Sequence, residues 1–461
     1  MSIDGPGNAP SRNDPPTQRR RRPPRTRRRR TRRRTIPPEV AEVDEIEDGH
    51  ERVIDPREAG AQIVEDHGLD MELMDLDALK VLRRLTRHGF QSYLVGGCVR
   101  DLLVGRVPKD FDVATSATPR QIRRLFRNSR IIGRRFRLAH VHFGSNIIEV
   151  STFRRSAVET ADGDDPLIRR DNLFGCADED ARRRDFTINA LFFDIHNREV
   201  IDFVGGMKDL REGVIRTIGE PVTRLREDPV RMLRAAKFAG RLGFTLSPDL
   251  MEAIRETRED LSKASPPRLY EEIRNLLQRG SARGAFSVLH ETRVLEVFLP
   301  EIWEIIEGNE TCRKIFWSVL RSLDQHVIEG RFVSPPVQLA ALFFPLFGDG
   351  LDFEGGAFSG NRSAPMDIGI VADRVMDPLA ARLQMPRRDL YAIKQALVGL
   401  RRLLATKRGR RRPTPNQIVR KDYFPNALRL FALYARAVGR HQGEVLSWVE
   451  RYESVTGFDF D

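Results

Sequence analysis

Three cysteines in 461 residues, Cys98, Cys176 and Cys312, are too few and too irregularly spaced for a disulfide framework or a cysteine-built zinc site. Long apolar runs are absent too. The strongest, Ala340 to Phe347, contains Pro345, falls far short of the roughly 20 residues a membrane-spanning helix needs, and reads as buried helix or loop. The first residues lack the apolar core of a secretory signal, and prolines within the early arginine run oppose an amphipathic organelle presequence. His140 and His142 stand two apart without a third ligand at zinc spacing, and read as structural or RNA-facing. Neither a Ser-His-Asp arrangement nor a Walker phosphate loop occurs. Together these absences argue against a membrane protein, a zinc enzyme, a serine hydrolase and a P-loop ATPase. A reducing, cytoplasmic setting is expected.

Positive charge is what the chain has in excess. Lys and Arg number 78 against 66 Asp and Glu, a formal +12 that predicts a polyanionic partner, nucleic acid first and acidic membrane second. Two clusters carry much of it without apolar residues to build a core: Thr17 to Thr35, almost all Arg, Pro and Thr, and Lys407 to Arg412. Residues 1–38 therefore read as a disordered Arg-rich tail, either merely solvated or touching RNA phosphates, and residues 39–72 as an acidic linker.

From Asp75 a helical period begins, with Leu79, Leu82 and Leu85 on one face and Gly89 as its stop. Tyr93 to Val95 read as a strand, followed by a Gly96-Gly97 turn, a helical segment carrying Arg100 and Asp101, and a second strand opening at Asp110. Thr118-Pro119 starts a helix through Phe126, Ile131 opens a β segment, and Leu138–Phe143 with Asn146–Phe153 predict a hairpin. After a polar loop ending at Asp171, the spacing of Phe186, Ala190 and Phe193 predicts a helix over Glu179–Asp194. Val200–Gly206 and Gly213–Gly219 predict a short second β element. From Thr223 the pattern is helical, with breaks at Pro266-Pro267, Pro335-Pro336 and Pro413–Pro415. The expected fold is α+β: a small mixed-sheet head over 73–220, a helical neck over 221–300 and a helical body over 301–461.

The chemistry centres on Tyr93 to Val113. Residues two apart on an extended chain share a face, so Asp110 and Asp112 converge on one cation while Phe111 turns to the core. Mg²⁺ takes one or two carboxylates, keeps waters and completes its shell with substrate phosphates. Glycines without Cβ let backbone N–H groups approach those phosphates, which nominates Gly96 and Gly97. Two metals about 3.5–4 Å apart can clamp the attacking and leaving oxygens of a reaction at phosphorus. Asp110 and Asp112 are the expected metal ligands, with Mg²⁺ as the ion and Mn²⁺ as the alternative. Glu149 is either a third carboxylate facing the same metals or a surface strand residue.

In chain order, Gly96-Gly97 with Arg100 and Asp101, the pair Asp110 and Asp112, the run Arg183 to Leu191, the run Glu227 to Phe244 and the run Ser265 to Leu277 resemble the class II branch of the nucleotidyltransferase superfamily. That branch contains bacterial poly(A) polymerases and CCA-adding tRNA nucleotidyltransferases, and the resemblance covers about Asp75 to Leu277. It implies that Arg183, Arg184, Asp185 and Asn189 contact the phosphates and ribose of the incoming nucleotide beside Gly96, Gly97, Arg100 and Asp101. It further implies that Glu227, Asp228 and Arg231 act as a protein template for the base edge, with Asp228 and Arg231 expected three apart on one helix. Arg234 and Lys237 extend that helix's basic side towards phosphate or solvent, Met232, Leu233, Phe238 and Leu242 are expected in the core, and Arg268 is expected to anchor a helix by pairing with a carboxylate. Ile131 to Gly144 and the run Pro266 to Glu272 are similar to the poly(A) polymerase side of the branch. The function so implied is template-independent addition of AMP from ATP to RNA 3′ ends by a monomer. The alternatives are CCA addition to tRNA from CTP and ATP, and an RNA-binding protein without turnover.

Overall fold

The computed structural model describes residues 54–133, 137–155, 174–347, 368–404 and 414–460. The chain divides into two units, residues 1–50 and 51–461. The Arg-rich tail, the linker up to residue 53, the polar loop 156–173 and the basic cluster Lys407 to Arg412 lie outside the described residues.

In chain order the head contains β1 (Gln62–Val64), α1 (Leu76–Arg87), β2 (Ser92–Val95), α2 (Gly97–Leu103), β3 (Asp112–Thr115), α3 (Pro119–Leu125) and β4 (Ser129–Ile132). It continues with β5 (Leu138–Phe143), β6 (Asn146–Thr152), α4 (Ala177–Arg182), β7 (Leu191–Asp194), β8 (Glu199–Asp202), α5 (Gly206–Glu212) and β9 (Val214–Ile215). Eight of these strands form one mixed sheet in the order β1-β8-β7-β2-β3-β6-β5-β4. Only β3 and β6 run parallel; the other neighbours are antiparallel. The edge strand β1 comes from the stretch read as an acidic linker.

Local chemistry explains the elements. Asp75 caps α1, its carboxylate accepting the Asp77 and Ala78 N–H groups at 2.7 and 2.9 Å, and Leu79, Leu82 and Leu85 are buried against the sheet. Gly89 follows in the left-handed region, where L side chains are disfavoured. Thr118 and Gln121 form a capping box at the start of α3. The hairpin β5–β6 forms in the expected place.

Two expectations are corrected. Glu179–Asp194 is not one helix: it holds the end of α4, a 3₁₀ turn at Thr187–Asn189 and the strand β7. Leu191, Phe192 and Phe193 are fully buried because β7 lies between β2 and β8, with Phe192 packing beside Tyr93 and Phe153 on one face and Phe193 beside Leu94 and Val113 on the other. A strand buried on both faces shows no alternation, so its apolar run mimicked a helix. Nor does Val200–Gly206 start a second sheet: β8 joins the main one, and the Asp202 carboxylate accepts four successive N–H groups, Val204 to Met207, turning the chain into α5.

The helical part opens with α6 (Pro221–Glu227) and α7 (Arg231–Leu242), interrupted by β10 (Thr245–Leu246), which pairs parallel with β9. It continues through α8 (Pro248–Thr257), α9 (Pro266–Leu277), α10 (Ala282–Glu291), α11 (Val294–Phe298), α12 (Pro300–Gly308), α13 (Glu310–Ile328) and α14 (Pro335–Phe343). Further described helices span Ile368–Arg382, Arg387–Leu404, Pro415–Val419, Phe424–Val438 and Gln442–Thr456. Pro266, Pro335 and Pro415 open helices, since a first-turn proline sacrifices no helical hydrogen bond. Ala340 to Phe347 is buried except for the partly buried Leu346, closing α14 and forming a 3₁₀ turn. Among the described residues no helix is long and apolar enough to cross a membrane.

Helices α7 and α10 cross closely at glycines. A Cβ on Gly240 would stand 2.3 Å from the Ala285 amide nitrogen, and one on Gly284 would stand 3.0 Å from the Gly240 Cα. Gly240→Ala should therefore destabilise the protein by about 1–3 kcal/mol in urea titration. Gly443→Ala, in a helix with open space around it, should be neutral or stabilising by up to about 1 kcal/mol.

Candidate active site

The turn after β2 requires glycine at Gly96. Its φ of 73° is left-handed, its N–H donates to the Leu191 carbonyl at 3.1 Å, and a Cβ there would stand 2.9 Å from Arg184 Nη1. The Arg184 guanidinium thus lies directly against the turn. Across from it, Asp112 opens β3, while Asp110 precedes the strand with its side chain 69 % exposed and Phe111 is buried as expected. Burial pushes the Asp112 carboxyl up to about 6; the negative charges of Glu149 and Asp110 add to this and Arg184 opposes it.

A cleft of about 670 Å³ gathers most of the residues named from the sequence. Gly96, Gly97, Arg100, Asp110, Asp112, Arg184, Asp185 and Asn189 line it from the head, and Asp228 and Arg231 line it from the helical side. Asp101, Arg183 and Glu149 lie outside the lining. Arg183 turns away to the fully buried Asp180 at 2.8 Å, which also holds Arg184 at 3.0 Å. Glu149 stands beside Asp112 in the β3–β6 register, with its carboxylate 3.3 Å from His140 Nε2. Among the described residues no three carboxylate, imidazole or thiol groups come together as a metal cage.

Beneath the cleft runs an ion-pair framework. Asp101 accepts from the buried Arg100 at 2.6 Å through one oxygen and from Arg241 of α7 at 2.5 Å through the other. Arg100 also donates to the Asn189 side-chain oxygen and lies over the Phe238 ring, 5.0 Å from its centroid. Asp185 takes Arg234 of α7 at 2.5 Å, the Asn189 amide at 3.2 Å and the Phe186 N–H at 2.9 Å. Burial raises the Asp185 carboxyl, but Arg234 and these hydrogen bonds outweigh it and hold the group below its usual range. Both Asp185 oxygens are thus engaged within the protein.

The base-template residues are arranged differently from the expectation. Asp228 and Arg231 do not share a helix: Asp228 is the extended residue that ends α6, and α7 starts at Arg231. Pro229 is the reason, because a residue before proline is driven out of the helical region. Asp228 instead receives Arg268 of α9 at 2.8 Å, the expected anchoring pair, and Arg231 binds Glu227 at 3.0 Å.

Lys237, Phe238, Arg241 and Glu272 also line the cleft. Phe238 is buried in the core as expected and borders the cleft as well, whereas Arg241 is a cleft residue for which the sequence reading holds no expectation. The signal was available in the spacing of Arg231, Arg234, Phe238 and Arg241, which recur every three or four residues and so share one face of α7. Burial lowers the Lys237 ammonium, and Glu272, 3.1 Å away, opposes the shift. Seven cationic and five acidic side chains line the cleft, an excess that suits an anionic substrate.

Residues 92–216 match the family described as "Poly A polymerase head domain", and residues 243–306 match "Probable RNA and SrmB- binding site of polymerase A". The chain is similar to poly(A) polymerase I of Escherichia coli O157:H7, 46 % identical over 292 residues covering 61 % of this chain and 63 % of that protein, so the match spans less than two thirds of that relative. It is also similar to poly(A) polymerase I of Haemophilus influenzae, 35 % identical over 393 residues covering 83 % of this chain and 85 % of the relative. Among solved structures it resembles the Bacillus stearothermophilus CCA-adding enzyme in complex with CTP, with a TM-score of 0.60, 26 % identity and 83 % of each chain covered.

The framework makes two expectations measurable. Asp101→Ala leaves Arg100 buried without its carboxylate and should cost about 3–5 kcal/mol in urea titration. Burial raises the Asp180 carboxyl, but Arg184 and Arg183 hold it below its ordinary range. Its stabilisation is therefore complete above the unfolded value of about 3.9 and is lost as pH falls through the lower folded value. Asp180→Asn should flatten the acid limb of a stability-against-pH curve.

Proposed function

The chain belongs to the bacterial poly(A) polymerase family, and on that premise we propose that it transfers AMP from ATP to RNA 3′ ends without a template. The RNA 3′-hydroxyl gives up its proton to solvent, its oxygen bonds to the α-phosphorus of ATP, the bond from that phosphorus to the α–β bridging oxygen breaks, and pyrophosphate leaves. What carries the reading is that Asp110 and Asp112 share one cleft with the cationic groups Arg184, Arg234 and Lys237.

The carboxylates suit a divalent cation: they line one cleft, and the burial and mutual repulsion that raise Asp112 are relieved by a positive ion. Bound there, Mg²⁺ or Mn²⁺ supplies Lewis-acid polarisation of the 3′-hydroxyl and the triphosphate oxygens. Arg184, set against the Gly96 turn, and Lys237 hold the triphosphate. Asp228 and Arg231 offer an acceptor and a donor to the adenine edge, steadied by Arg268 and Glu227 respectively. In this reading residues 73–220 act as the catalytic head, 221–300 as the neck that reads the base and 301–461 as the body that holds RNA. The enzyme works in the cytoplasm as a monomer.

The test supplies purified protein and Mg²⁺ with each nucleoside triphosphate, singly and together, on an unstructured RNA and on a tRNA lacking its terminal CCA. Long ATP-only tails on both RNAs are expected, lost on chelation and reduced at least about 10³-fold by Asp110→Ala with Asp112→Ala. Addition of two C and one A to the tRNA alone would replace this reading with CCA addition. RNA binding without incorporation would leave a binding protein that lacks turnover.

A further inference from the structure

Away from the cleft, a second groove of about 620 Å³ lies along α1. Its walls carry Lys80, Arg83, Arg84 and Arg87, with Phe126 and Phe143 between them. The four cations stand at i, i+3, i+4 and i+7 of one helix, and all are exposed. Lys80 lies over the Phe143 ring at 5.7 Å and the Arg84 guanidinium over the Phe126 ring at 5.4 Å, so the aromatic faces hold these heads at the groove. Among the described residues no carboxylate lines the groove, and Lys80 alone of the four has an acidic partner, Asp77 at 2.8 Å. Arg127, exposed beside the groove residue Asn128, continues the basic edge.

The groove is separated from the reaction cleft by the sheet itself. Helix α1 packs on the face that carries Leu94, Val113 and Val150, whereas Asp112 and Glu149, each one residue away from Val113 and Val150, point to the opposite face. Four like charges in a row repel one another, and a row of phosphates removes that repulsion while releasing counterions. The ring faces are already taken by cations, which leaves phosphate rather than base as the recognised group.

We propose that the α1 groove is a second RNA site, a backbone-binding track on the reverse of the catalytic head that engages upstream phosphates of long RNAs and is out of reach of short ones. The inference rests on the polymerase reading, and the test separates their failures. In the full-length chain, Arg83→Gln with Arg87→Gln is compared with wild type on fluorescein-labelled RNAs of about 8 and about 40 nucleotides, for both anisotropy and ATP incorporation. The double variant should bind the long RNA about tenfold more weakly, with a salt slope reduced by about 1–2, and show a raised KM on it. Its kcat and KM on the short RNA should equal wild type, which also verifies folding. Unchanged affinity for the long RNA, or equal losses on both lengths, would overturn the track. Loss of binding to phosphatidylserine vesicles with RNA binding intact would assign the groove to a membrane instead. Failure of wild type to incorporate ATP on any RNA would refute the polymerase reading, while the anisotropy arm would still report on the groove.

Discussion

Two buried carboxylates of the head, Asp101 and Asp185, each grip an arginine of α7 at 2.5 Å, and the rest of the site depends on that double grip. The apolar face of α7, with Met232, Leu233, Ala236 and Phe238 buried, holds the helix in the core, and the two ion pairs fix how its polar face with Arg231 and Lys237 meets the head. The two contacts lie on α7 at Arg234 and Arg241, seven residues or two turns apart, so they set both its position and its direction. Removing either carboxylate from water is costly, and each is fully hydrogen-bonded in compensation. The gain is geometric: two parts of the chain meet along one line.

The cleft that results has its charges sorted. Asp110 and Asp112 sit at the start of β3, cationic side chains line α7 and the Gly96 turn, and Asp228 and Arg231 stand where the chain breaks between α6 and α7. Most of these groups are pre-paired: Arg184 with Asp180, Arg231 with Glu227, Asp228 with Arg268, Lys237 with Glu272. Groups held in this way lose little freedom when a substrate arrives, which is the physical basis of preorganisation. Glycine is needed where it permits close approach, at Gly96 against Arg184 and at Gly240 where α10 crosses α7. The sheet then presents two unlike faces, one to the reaction cleft and one covered by α1 with its cationic outer stripe.

Much of this was legible in the amino-acid order because the signals were local. The helix that begins after Asp75, the Thr118-Pro119 helix start, the hairpin around Gly144 and the glycine turn depend on residues within a few positions of one another, and each stands where expected, while the strand expected from Asp110 begins at Asp112. Tertiary structure alone decided the rest. Leu191 to Phe193 became a central strand because partners from distant β2 and β8 bury both its faces, which local periodicity cannot register. Asp185 found Arg234, 49 residues away, and Asp101 found Arg241, 140 residues away; no spacing rule links such pairs. Chemistry close in sequence was determined by the sequence itself, whereas the cleft's depth, its pairings and its second basic groove came from packing between residues far apart along the chain.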